Sequence, residues 1–143
     1  MNINWTQIVI PLISGGLAGA VLTLWFNTRK QRLDVTLTVI KDYFAFYDDL
    51  GMVKGIFAAK DPCGALDDPN NLNRLRRIGD WFHYVASLLQ EKVVDPKLLD
   101  RVAIIDELDR FREALAAAKS RCPKHLDHAW HWWPHIQTFK KPS

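Results

Sequence analysis

Four of the five histidines fall at His125, His128, His131 and His135, inside the stretch CPKHLDHAWHWWPHIQTFKKPS that starts at Cys122. Neutral imidazole is a good transition-metal ligand, and a helical step of about 100° places His128, His131 and His135 within about 60° of one another. Zinc is the ion such a set would take, with His125, Cys122 or Asp127 completing the shell. The HExxH order of a zinc hydrolase is absent, and Pro134 interrupts the turn. Two other readings compete for the same residues. Trp130, Trp132 and Trp133, with the Lys140-Lys141 pair, have the composition of a segment lying at a membrane surface. Equally, they suit a closing helix that sends tryptophan into the core.

No other constellation supports a named reaction. No nucleophile, base and orienting group occur at a recognisable spacing, so the expectation is a non-enzymatic module without a cofactor, metal binding apart. The acids Asp61, Asp67 and Asp68 lack the spacing of a calcium loop and read as a solvated turn. The chain carries 19 basic and 16 acidic residues for a net charge of +3, interleaved along helical patterns, which argues against nucleic acid as a partner.

The element that organises the rest is Trp5 to Phe26, WTQIVIPLISGGLAGAVLTLWF, which carries no charge. As a helix it spans about 33 Å, against a hydrocarbon core of about 30 Å, with tryptophan at both ends. It is expected to be a membrane anchor over residues 1–28, left uncleaved because no basic region precedes the apolar run. Arg29, Lys30 and Arg32 follow directly. By the positive-inside rule they leave residues 29–143 cytoplasmic, with the N-terminus outside, in a single-pass protein of the inner membrane. These cations join Trp130, Trp132 and Trp133 as the expected membrane-surface contacts. Gly15 and Gly19, with Gly16 and Ala20 beside them, form a small-residue strip on which two such helices would pair, making homo-oligomerisation through the membrane helix the expectation. Cys63 and Cys122 lack CxxC spacing and are expected as reduced thiols.

After the anchor the pattern is helical throughout. From Asn27 to about Lys60, Leu33, Leu37, Ile40, Phe44 and Tyr47 form one stripe, and Val35, Val39, Tyr43, Phe46, Leu50, Val53 and Phe57 another. That width suits a bundle, and Gly51 and Gly55 mark a place to bend. Residues 61–73 read as a loop rich in Pro, Gly, Asn and Asp. A helix from Asn73 to Val93 buries Leu75, Ile78, Phe82, Val85 and Leu89, while Arg74, Arg76 and Arg77 in its first turn answer Asp67 and Asp68. Asp95-Pro96 starts a third helix. It runs to Arg121 and buries Leu98, Val102, Ile105, Leu108, Phe111 and Leu115, until Cys122-Pro123 stops it before the aromatic segment 122–143.

The segment Ile78-Gly79-Asp80-Trp81-Phe82-His83-Tyr84-Val85-Ala86-Ser87-Leu88-Leu89, then Val93-Val94-Asp95 and the aromatic His128-Ala129-Trp130-His131-Trp132-Trp133, resembles the small bacterial membrane-anchored proteins of the DUF4760 family. The resemblance implies one N-terminal membrane helix, a juxtamembrane helix and a final aromatic helix, and carries no activity to transfer. The family's acid in the middle helix is replaced here by His83 or a neighbour. The expected fold is therefore all-α, with one transmembrane helix and a cytoplasmic bundle of three to four helices. The expected function is a membrane-tethered interaction or regulatory module with an unknown protein partner. The alternatives are a zinc-type sensor or hydrolase on the histidines and a self-assembling membrane protein built on the glycine strip.

Overall fold

The computed structural model describes the backbone of residues 5–126 and 133–139, and the side chains of 19–126, 134 and 136–139. Among these residues the chain is all-helical, as the periodicity implies. Its elements are α1 (Trp5–Ala45), α2 (Tyr47–Ala58), α3 (Pro62–Leu66), α4 (Pro69–Gln90), α5 (Pro96–Arg101), α6 (Ile104–Arg121), α7 (Pro123–Leu126) and α8 (Trp133–Thr138).

The expected membrane anchor has to be corrected. Trp5 to Phe26 is helical, but it is the first half of a 41-residue helix, and among the described residues no helix is long and apolar enough to cross a membrane. The apolar run counted along the sequence includes residues 5–18, whose side chains lie outside the described set. From Gly19 onward only a short apolar piece remains before Asn27, Thr28 and Arg29. The single-pass inner-membrane topology, the cytoplasmic placement, the bilayer as partner and oligomerisation through a membrane helix all depended on that span, and none is retained. Gly19 has open space where a Cβ would point and Ala20 is exposed, while Gly15 and Gly16 contribute helical backbone alone.

The break between α1 and α2 falls at Phe46, not at a glycine. Phe46 N still donates to Asp42 O and Phe46 O still accepts from Leu50 N, so one residue leaves the helical register without orphaning its backbone groups. Gly51 and Gly55 lie inside α2. Of the two stripes on this segment, the one containing Val39, Tyr43, Leu50 and Val53 is buried. Leu33, Leu37, Phe44 and Tyr47 on the other are exposed.

The loop expected over residues 61–73 is mostly helix, because its prolines sit at first-turn positions and its aspartates cap. Asp61 accepts a hydrogen bond from Gly64 N at 3.0 Å to start α3, and Asp68 accepts from Asn70 N at 2.9 Å to start α4. A Cβ at Gly64 would run into the Asp61 carboxylate, which would have to shift from its capping position. Asp95 caps α5 as its sequence implies, accepting from Lys97 N at 2.9 Å. The helix it starts does not reach Arg121 in one piece. Ala103 takes a left-handed φ of 61°, ending one helix and starting the next. That step rotates the buried face, so Leu99 and Ile104 are fully buried and Leu98 is not.

The thiols, expected reduced, are joined. Cys63 on α3 and Cys122 at the end of α6 form a disulfide with a Cα–Cα distance of 5.4 Å across a sequence separation of 59. The pairing was invisible in the spacing because it depends on α3 lying against the far end of α6. Beside it His125 Nε2 meets Asp67 Oδ1 at 2.6 Å, a second tether between the same two regions.

One aromatic cluster centres the core. Phe82, fully buried, lies with ring centroids 4.9 Å from Trp81 and 4.8 Å from Phe111, and Phe57 is 6.2 Å from Phe111. Tyr43 stacks on Trp81 at 6.0 Å. Burial, then the nearby Glu107 charge and then Tyr47, disfavour its phenolate and raise its pKa above the usual 10.0. The folded state thus holds this proton more tightly than the unfolded chain. Its contribution is complete below pH 10 and is lost as pH climbs through the raised value. Tyr43→Phe is expected to flatten the fall of stability above about pH 10, read from denaturant midpoints at a series of alkaline pH values. Parallel falls in the two proteins would contradict the assignment.

Candidate functional site

His128 and His131, half of the expected metal set, lie outside the described residues, as do Trp130 and Trp132. His135 and Trp133 belong to α8 by backbone, and their side chains lie outside the described set. Of the four histidines only His125 can be placed, and it is engaged with Asp67. Cys122, a candidate extra ligand, is spent in the disulfide. Among the described residues no group of three His, Cys, Asp or Glu could hold a metal ion, and with Cys122 in the disulfide and His125 on Asp67 the zinc reading finds no support there and is not carried forward. α8, which carries His135 alone of the four, is docked by its end: Ile136 and Phe139 are buried, and Arg112 donates to Phe139 O at 2.6 Å.

The basic residues expected at a membrane surface have other work. Arg32 Nε donates to Val94 O at 2.9 Å, and one turn on, fully buried Thr36 accepts from Asp95 N at 2.9 Å while donating to Arg32 O at 2.6 Å. Together they clamp α1 onto the α4–α5 connection. Arg29 lies over the Trp25 ring at 5.3 Å, and Lys30 is exposed. Arg74 and Arg77 face Asp49 of α2 at 3.6 and 3.4 Å, and so do not answer Asp67 and Asp68 as expected.

The feature with the geometry of a binding site is a groove between α2 and α6, of about 400 Å³. Its walls are Leu50, Val53 and Phe57 from α2 and Phe111 and Ala114 from α6. Helical spacing on two facing elements turns these apolar side chains to one cleft, and Phe82 supports the floor through Phe111. The rim is charged. Glu107, only 8% exposed, holds Lys54 Nζ at 2.7 Å through one carboxylate oxygen and faces Arg110 at 3.7 Å through the other. Burying a carboxylate this deep is costly without such partners. Two cations against one acid leave a local excess of positive charge at the mouth of an apolar cavity.

None of these three rim residues stood out in the sequence. A signal was present, since Glu107 interrupts the apolar stripe Ile104, Leu108, Phe111 and Leu115, where an acid must be either misplaced or paired. Lys54 carries no such mark.

Compared with known proteins, the chain matches no family model, no curated protein and no solved structure. The DUF4760 resemblance is thereby overturned. The motifs that carried it, apolar and aromatic residues at helical spacing, are those any buried helix of this composition presents.

Proposed function

We propose that this chain is a binding domain, not an enzyme, that takes a small amphipathic anion into the α2–α6 groove, with its apolar body against Phe57 and Phe111 and its carboxylate at Lys54 and Arg110. The observation that carries this reading is the pairing of an apolar cleft with a cationic rim. A volume of about 400 Å³ lies within the range of small-molecule sites, which typically combine apolar walls with a few polar groups. Lys54 and Arg110 share the single Glu107 carboxylate, at 2.7 and 3.7 Å, so positive charge is left over for a ligand's carboxylate, an arrangement that supports recognition over proton transfer. The disulfide supports an oxidising compartment as the place of action, since a reducing cytosol keeps such thiols in the reduced form.

A medium-chain fatty acid and its alcohol make the test. Decanoate is expected to bind with saturation by calorimetry. Arg110→Gln, at a side chain 72% exposed, is expected to weaken decanoate about three- to tenfold while leaving decanol nearly unchanged. Ala114→Phe, which fills the groove, abolishes both. Equal losses for acid and alcohol in Arg110→Gln would remove the role given to the rim, and undiminished binding in Ala114→Phe would remove the groove.

A further inference from the structure

A second concavity, of about 560 Å³, lies between α1 and α5 and is lined by Trp25, Arg29, Arg32, Asp95, Lys97 and Arg101 among others. We propose that it binds a small phosphate-bearing anion of two or more negative charges, independently of the α2–α6 groove.

The first argument is charge. Four cations share the cleft with one acid, and that acid is already committed, because Asp95 caps α5 through its bond from Lys97 N. Five cations elsewhere are ion-paired, Lys54 and Arg110 with Glu107, Arg74 and Arg77 with Asp49, and Arg112 with Asp109, and what distinguishes the cleft is the gathering of four cations in one concavity. Among the described residues no carboxylate forms an ion pair with Arg29, Arg32, Lys97 or Arg101. Like charges gathered in one concavity repel one another and raise the local potential, a cost that a multivalent anion would offset.

The second argument is preorganisation. Arg32 is held through Nε by Val94 O at 2.9 Å, which fixes the guanidinium while leaving its two terminal nitrogens outside that bond. Arg29 is steadied over Trp25. Planar guanidinium groups fixed in this way match the oxygen geometry of phosphate, which they bind in bidentate fashion. The Thr36–Asp95 bond holds the two walls at a set separation.

Calorimetry with inorganic pyrophosphate, at physiological ionic strength, tests this. Saturable binding of one equivalent is expected, with chloride and sulfate much weaker. Arg29→Gln and Arg101→Gln, at exposed positions outside the clamp, are each expected to weaken pyrophosphate about tenfold, and Arg76→Gln on α4 to leave it unchanged. Circular dichroism establishes that each variant is folded. Absence of saturable binding would overturn the site. Equal losses in Arg76→Gln and the cleft variants would also overturn it, as would an oligonucleotide binding more tightly and losing affinity equally in all three, since either marks diffuse polyelectrolyte attraction.

Discussion

Replacing both cysteines, Cys63→Ala with Cys122→Ala, is expected to lower stability by about 3–4 kcal/mol. The bridge closes a loop with a sequence separation of 59. Loop-closure entropy for that length comes to about 4 kcal/mol in the chain-entropy model, and measured values often fall somewhat below the model. At this chain size the loss corresponds to a melting temperature about 10 °C lower. Thermal unfolding of the oxidised protein against the double variant reads the effect, and a reducing agent should reproduce it in the wild type. The neighbouring His125–Asp67 contact cannot compensate, because Asp67 is largely exposed and such pairs contribute little. A change below about 1 kcal/mol would mean that the two regions are held together without the bridge.

Phe82→Ala is expected to cost about 3–5 kcal/mol, because the ring is fully buried and touches aromatic neighbours on both sides. Relaxation can fill little of the space, since Trp81 is itself stacked against Tyr43 and Phe111 is shared with Phe57. The urea midpoint should fall with the m-value unchanged. Phe82 also backs Phe111 in the groove wall, so this variant should lose affinity for decanoate even where it remains folded. A loss below about 1 kcal/mol would contradict the placement of Phe82 at the centre of the core.

The helical class and much of the core were legible because amphipathic periodicity survives packing. Leu75, Ile78, Phe82 and Val85 are buried where the stripe places them, and Asp95-Pro96 starts a helix as its capping chemistry requires. Elements whose identity depends on tertiary contact were not legible. The turn-forming residues of 61–73 are also the residues that begin helices, and local composition does not separate the two uses. The left-handed Ala103 has no glycine to announce it. The disulfide follows from where α3 meets α6, and the groove from two stripes on separate helices facing each other. The span from Trp5 was read from an uncharged run and its flanking tryptophans, and residues 5–18 of that run lie outside the side chains described, which leaves only a short apolar piece on the 41-residue α1.

The central claim is that the α2–α6 groove is a binding site for an amphipathic anion. Amide chemical-shift mapping of the isotopically labelled, oxidised protein during a decanoate titration tests it most directly. Saturable shifts confined to residues 50–58 and 107–114, and absent in Ala114→Phe, are the predicted result. Shifts that fail to saturate, or that gather on the exposed apolar surface of α1 from Val21 to Phe26, would contradict it.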